Sequence, residues 1–169
     1  MFERSLPRHL RGLLTVDEAK SDSSSVTGKV KCTCGCEKIR LRTFGLDDAG
    51  EDDWKYGIKV TAECTGCSST HLLFDQAVHG YDGYVCHSFE TKENIVYSPV
   101  ICEKCGSEVF SAEICTETED KAQFIEEVVN EYPDEFCEED YVDAFGWITM
   151  NVKCDKCGFE KEIINLELS

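Results

Sequence analysis

The chain contains 169 residues, 41% of them hydrophobic and 30% charged, and its formal net charge at pH 7 is −17. These proportions are typical of a soluble protein with one ordinary domain or two small ones, and they argue against a disordered chain. The longest apolar runs are only a few residues, which excludes a membrane-spanning helix.

The charge is unevenly distributed along the chain. Residues 1–45 contain nine Lys and Arg against five Asp and Glu, whereas residues 46–169 carry a net charge of −21. An acidic surface repels phosphate groups, so nucleic acid could bind only through the basic N-terminal region.

Residues 1–28 predict a basic helix followed by a polar tether. Helical spacing places Arg4, Arg8 and Arg11 on one side and leucines on another. This helix could bind the acidic remainder of the chain, a partner or an anionic surface. The first residues lack the apolar core of a secretory signal, so we expect a cytoplasmic protein.

Twelve cysteines, several in close pairs, predict metal ligands rather than disulfides in a reducing compartment. A C-x-x-C turn aims two sulfurs at one point, and four thiolates from two such turns can bind Zn²⁺ tetrahedrally. Three pairs have this form: Cys64 with Cys67, Cys102 with Cys105, and Cys154 with Cys157.

The fourth turn comes from the stretch "KVKCTCGCEKIR", which holds three cysteines. Its segment "CGCEKIR" aligns with "CGSEVFS" and thereby matches Cys34 with Cys105 and Cys36 with Ser107. Cys32 and Cys34 are therefore the expected ligands, in a shortened turn. Cys36 is spare: either it is an ordinary thiol, or it exchanges with Cys32 as a ligand and senses oxidants.

The same stretch continues into "KIRLR", where strand alternation places Lys38, Arg40 and Arg42 on one face and Ile39 and Leu41 on the other. This basic strand is the best candidate for a nucleic-acid surface. The alternative is an ordinary exposed strand face.

Two further strands precede the third and fourth turns. In "GIKVTAEC" and "GWITMNVKC", apolar residues alternate at the same offsets before Cys64 and Cys154. The chain therefore contains two copies of turn, strand, insert, strand, turn and strand. This pattern resembles the zinc-ribbon class, in which two cysteine turns at the ends of β-hairpins clasp one zinc ion, and the resemblance covers residues 30–75 and 100–168.

The resemblance implies two zinc ions per chain, each in a closed four-thiolate site that leaves no open position for catalysis. Iron would fit the same four thiolates, but the polar sequence around the turns favours zinc. The predicted metal ligands are Cys32, Cys34, Cys64, Cys67, Cys102, Cys105, Cys154 and Cys157.

Between the two copies, Asp82-Gly83 predicts a hairpin turn, and "YVCHSFE" and "NIVYSPVIC" predict two strands that bridge the ribbons. His71, His79 and His87 offer an alternative use of this region as a separate metal site. Their spacing, however, matches no ligand pattern in which the side chains share a helical face.

The insert of the second copy is strongly acidic: residues 111–143 contain thirteen acidic residues and one lysine. Within it, "TEDKAQFIEEVVNEY" predicts a helix with Thr118 as N-cap and Pro133 after its end, and "PDEFCEEDYVDAF" predicts a second short helix. Its acidic face is either a docking surface for a basic partner or a solvated face. The shorter insert, "FGLDDAGEDDWKYG", predicts an exposed turn.

Together these patterns predict a mainly β protein with a helical insertion, built from two fused zinc ribbons joined by bridging β-hairpin strands. The first ribbon with its hairpin extension covers residues 29–91, and the second covers 92–169 with the acidic helical insertion at 116–145. No catalytic motif is recognisable. We therefore expect a nonenzymatic zinc-binding adaptor or regulatory protein with a protein partner; the alternatives are a nucleic-acid-binding ribbon protein and an acidic inhibitor of a basic protein.

Overall fold

A curled antiparallel sheet dominates the computed structural model, which describes residues 2–46 and 53–168. Nine strands are found in this part of the chain. They are β1 (Leu14–Val16), β2 (Ser25–Val30), β3 (Ile39–Phe44), β4 (Lys59–Cys64), β5 (Thr70–Asp75), β6 (Ser98–Pro99), β7 (Val109–Glu117), β8 (Trp147–Cys154) and β9 (Glu160–Glu167). The prediction of a mainly β protein is confirmed.

Strand β7 organises the sheet. One of its edges pairs with β8 along the whole strand, and β8 pairs in turn with β9. The other edge is shared, since β2 pairs with its C-terminal half and β3 with its first two residues. Beyond β3 follow β4 and β5, while β1 extends the sheet from β2.

The meanders β3–β4–β5 and β7–β8–β9 have the same strand register. Ile39 in β3 lies opposite Cys64, and Phe110 in β7 lies opposite Cys154. Each meander also carries an irregularity in its second hairpin, beginning four residues before the cysteine. Ile39 and Phe110 lie opposite each other, so the row Cys64, Ile39, Phe110, Cys154 crosses four strands.

The core lies on the inner face of the sheet, as the alternation predicts. In β8, Ile148, Met150 and Val152 are buried, and in β3 Ile39 and Leu41 are buried. Alternate burial of β-branched and long apolar side chains stabilises such strands through the removal of apolar surface from water.

The N-terminal segment differs from the predicted helix and tether. Glu3–Ser5 and Arg8–Leu10 form short 3₁₀ turns, and β1 follows them. The stretch expected to be a tether, residues 17–28, contains a 3₁₀ turn at Glu18–Lys20 and the first four residues of β2. Leu6 and Leu10 are fully buried in the core, and Gly12 adopts a left-handed conformation with φ of 80°. Burial of these leucines holds the segment against the sheet.

The bridging hairpin strands are also not formed as predicted. Tyr81–Val85 is a short π-helical turn, and only Ser98–Pro99 joins the sheet, beside β3. The chain approaches Gly83 closely: a Cβ there would lie 2.3 Å from the carbonyl oxygen of Gln76. This glycine permits tight packing rather than a hairpin turn.

The acidic insertion contains the one α-helix of the described residues, α1 (Lys121–Phe124), continued by a π-helical turn at Ile125–Val129. Its N-cap is Asp120, whose carboxylate accepts from two backbone N–H groups, and not Thr118. A 3₁₀ helix follows at Glu138–Val142.

The predicted exposed turn of the shorter insert lies partly outside the described residues, at 47–52. Its end, Asp53–Tyr56, forms a 3₁₀ helix. In the described part of the chain, no helix has the length and hydropathy needed to cross a membrane.

Candidate metal centres

The structure brings the eight predicted cysteines together in two groups of four. Within each group all sulfur atoms lie within 4.8 Å of one another, and the groups are Cys32, Cys34, Cys64 and Cys67, and Cys102, Cys105, Cys154 and Cys157. The shortest Sγ to Sγ distances are 3.5 Å in the first group and 3.5 Å in the second. A tetrahedral Zn²⁺ site with bonds of about 2.3 Å has edges of about 3.8 Å. A disulfide would need about 2.05 Å.

Backbone hydrogen bonds shape the three C-x-x-C turns in the same way. The N–H of the first cysteine donates to the carbonyl five residues later, as from Cys154 to Phe159 at 2.8 Å. The N–H of the residue four positions later donates back to the first cysteine. That residue has positive φ in every case: Ser68, Gly106 and Gly158.

The Cys32 turn is the same structure with one residue fewer. The Cys32 N–H donates to the Cys36 carbonyl, four residues later, at 2.9 Å. The return bond comes from Gly35, three residues later, whose φ is 94°. The shortened C-x-C turn therefore still brings Cys32 and Cys34 to one point.

Cys36 lies beside the first group but outside it. Its sulfur is 3.6 Å from the carbonyl oxygen of Lys38 and 3.6 Å from Thr65 Oγ1. The first group takes Cys32 and Cys34 from this stretch and leaves Cys36 out. This is the position that the sequence alignment assigns to the spare thiol.

Each centre is half-buried. The first cysteine of each turn is buried, whereas Cys34, Cys67 and Cys157 are exposed and Cys105 is half-buried. The metal would therefore tie the surface tips of two turns to the edge of the core. Four thiolates complete a tetrahedron, so the donor set fits a structural site.

The electrostatics of the first group favour a bound cation. The hydroxyl and N–H of Ser69 lower the pKa of Cys67 to about 6. The Cys67 N–H favours the thiolate of Cys64, but burial and the sulfurs of Cys34 and Cys32 outweigh it and raise the pKa of Cys64 to about 12. Four crowded sulfurs thus resist joint deprotonation, which a divalent cation would relieve.

In the second group, too, one thiol has a lowered pKa and another a raised one. The backbone N–H groups of Cys157 and Lys156 lower the pKa of Cys154 to about 6, against the effect of burial. At Cys105 the N–H of Ser107 favours the thiolate, but burial and neighbouring sulfurs raise the pKa to about 12. Metal binding would release the protons that such thiols retain.

One histidine contacts the first centre. His71 Nε2 lies 3.2 Å from Cys32 Sγ, where it can orient that sulfur. The spacing of residues in the sequence does not indicate this contact. It arises because the pairing of β4 with β5 places His71 opposite Ala62, beside the cysteine turn.

The three histidines considered as a separate site do not converge. His79 stacks on His9 with ring centroids 3.5 Å apart, and its Nδ1 accepts from the Asp75 N–H. Among the described residues, the two cysteine groups are the clusters of three or more His, Cys, Asp or Glu that could hold a metal ion.

The basic strand has the predicted alternation, with Ile39 and Leu41 buried and Arg42 exposed. Its positive charge is partly offset by carboxylates of the same chain. The ion pairs of this zone are Lys29 with Glu37 at 2.9 Å, Lys38 with Asp155 at 3.4 Å, and Arg40 with Glu63 at 3.4 Å.

Comparisons with protein-family models, with curated proteins and with solved structures give no match for this chain. The two groups of four cysteines are therefore the feature from which a function can best be inferred.

Proposed function

We propose that this chain is a zinc protein of two fused ribbons that acts without catalysis, as a cytoplasmic adaptor or regulatory protein. The observation that carries the proposal is the pair of closed four-sulfur groups, each held at the ends of β-hairpins. A catalytic zinc keeps an open position for water, which four thiolates do not leave.

The matching registers of the two meanders support the fused-ribbon part of the proposal. In each meander a residue of the first strand lies opposite the cysteine that ends the second strand: Ile39 opposite Cys64, and Phe110 opposite Cys154. The pairing of Ile39 with Phe110 then joins the two ribbons through their first strands. The link between ribbons is a shared sheet rather than the hairpin expected from the sequence.

Zinc fits the role of holding the fold. The turns are short and partly exposed, and thiolate coordination would supply the free energy that such turns cannot gain by burial. Zinc has no redox chemistry of its own, so the bound ion would hold the turns without changing oxidation state.

Native mass spectrometry with elemental analysis of the reduced, freshly purified chain tests this proposal. We expect two zinc ions per chain, and we expect chelation to abolish the β-type circular dichroism and to expose the chain to protease. One metal per chain would restrict the proposal to one ribbon. Two iron ions would overturn the choice of zinc, and intact structure after complete chelation would overturn the structural role.

A further inference from the structure

A groove separates the acidic insertion from the π-helical turn at Tyr81–Val85. Its volume is about 290 Å³, just below the usual range for small-molecule pockets, and a single large side chain would fill much of it. The groove is lined by Val78, Gly83, Tyr84, His87, Glu135 and Phe136.

The apolar wall of the groove is fixed in place. Tyr84 and Phe136 meet edge to face with ring centroids 5.8 Å apart. The Tyr84 hydroxyl donates to Asp140 at 3.0 Å, and Arg8 donates to the same carboxylate at 2.7 Å. A preformed wall lowers the conformational entropy lost when a ligand side chain enters.

The groove also leaves apolar surface in water. Val78, on one side, is 50% exposed. A single exposed apolar residue is ordinary, but Val78 lines a concave surface into which an apolar group can pack.

Carboxylates flank Phe136 in the sequence, and one of them, Glu135, lines the groove. The nine residues 131–139 contain five acidic side chains, all exposed, and no basic one. Asp140 and Asp143, in contrast, are buried and paired with Arg8 at 2.7 Å and 3.0 Å. Two zinc sites of net charge −2 each would take the formal charge of the chain from −17 to about −21.

We propose that this groove docks a basic segment of a partner protein. One large apolar side chain of that segment enters between Val78 and Phe136, and flanking Lys or Arg residues pair with the carboxylates of residues 131–139. The size of the groove selects a side chain, and the charge around it selects a cationic segment and repels nucleic acid. The inference deepens the adaptor role and rests on that proposed function.

A randomised peptide library displayed on phage tests the proposal, with the zinc-loaded full chain as bait. We expect enriched peptides to share one large apolar residue flanked by at least two Lys or Arg. Their affinity should fall at least tenfold for the Val78→Lys variant, which puts a charged side chain at the groove. Val96→Lys is the matched control, because Val96 is 82% exposed and lies outside the groove.

Two double variants test whether the carboxylates near the groove contribute to peptide binding. Glu131→Gln with Glu135→Gln should slow association several-fold and weaken its dependence on salt. Glu108→Gln with Glu160→Gln changes the net charge equally in the second meander and should leave the rate close to that of the wild type.

Failure of the docking proposal is distinguishable from failure of the metal proposal, because zinc content is measured on the same sample. With two zinc ions bound, absence of enrichment, or enriched peptides that bind Val78→Lys and Val96→Lys equally, would overturn the docking proposal alone. Peptides that lack an apolar residue would reduce the surface to an unspecific acidic face and would also overturn it.

Discussion

Ile39 and Phe110 lie opposite each other where β3 pairs with β7, and each also lies opposite the first cysteine of a metal turn. Both side chains are buried, with 1% and 2% of their surface exposed. The two candidate metal centres are therefore connected by a continuous row of packed residues across four strands. A substitution in this row should therefore weaken metal binding at both centres.

Phe110→Ala should destabilise the protein by about 3 to 5 kcal/mol, because it removes a buried aromatic side chain and leaves a cavity. It should also speed zinc loss from both sites, since Phe110 contacts the strands that deliver both sets of turns. Urea unfolding and the rate of zinc transfer to a chromophoric chelator measure the two effects.

Phe124→Ala is the control for this prediction. Phe124 is 5% exposed but belongs to the separate cluster beneath the acidic insertion. It should lower stability by a comparable amount without the same effect on zinc release. Equal release rates in the two variants would show that the row does not connect the centres.

Cys36→Ser should retain two zinc ions per chain, whereas Cys34→Ser should retain one. The reason is geometric: Cys34 belongs to the four-sulfur group, and the Cys36 sulfur instead lies near Lys38 and Thr65. Native mass spectrometry of both variants measures the stoichiometry. Full occupancy in Cys34→Ser would indicate that Cys36 takes over as a ligand, and loss of a zinc ion in Cys36→Ser would contradict its assignment as spare.

The positive φ at the fifth residue of each C-x-x-C turn predicts opposite changes in stability for two substitutions. Gly158 and Ser68 occupy equivalent positions with φ of 74° and 62°. Gly158→Ala should destabilise the zinc-bound protein by about 1 kcal/mol, because a Cβ disfavours the left-handed conformation. Ser68→Gly should stabilise it by a few tenths of a kcal/mol, as the relief of strain exceeds the added entropy of the unfolded chain.

Thermal unfolding in excess zinc measures both changes. Gly146→Ala serves as the comparison, because Gly146 is not among the residues with positive φ and a Cβ there would contact only the side chain of Glu119. A stabilising Gly158→Ala would contradict the equivalence of the turns.

Local sequence was sufficient to predict the features that depend on spacing. The eight cysteines and the alternation in β3 and β8 follow from residue patterns within short segments. The shortened turn at Cys32 was also accessible, because aligning it with the Cys105 turn exposed the missing residue.

Features that depend on distant contacts were not accessible. Asp82-Gly83 has the composition of a hairpin turn, but the glycine is needed because the chain at Gln76 approaches too closely for a Cβ. The spacing of the N-terminal leucines is compatible both with one face of a helix and with an irregular segment packed on the sheet. Their burial in the core decides between the two. The pairing of Arg8 with Asp140 joins residues 132 positions apart, which no local pattern indicates.

The stacked pair of His9 and His79 predicts a loss of stability in mild acid. Burial lowers the pKa of His79 to about 3, and the charges of His9 and Lys59 act in the same direction. Burial also lowers the pKa of His9, although the Leu73 carbonyl and Asp143 partly oppose this. His79 is therefore neutral in the folded protein at pH 6, and His9 binds a proton less readily than it does in the unfolded chain, where histidines with ordinary pKa values near 6.5 are largely protonated at that pH.

The unfolded state thus binds more protons below pH 6.5, so the stabilising contribution of the pair is present above that pH and is lost as the pH falls toward 3. Between pH 7.5 and 5.5 the free energy of unfolding should fall by about 1 kcal/mol from this pair, a value reduced because the rings are only partly buried. Urea titrations at the two pH values measure it, with zinc content checked at each because thiolates also take up protons. The His79→Gln variant should show a weaker dependence of the free energy of unfolding on pH, whereas His87→Gln, at an exposed position, should show the same dependence as the wild type. An equal pH dependence in wild type and His79→Gln would show that the pair does not titrate with unfolding.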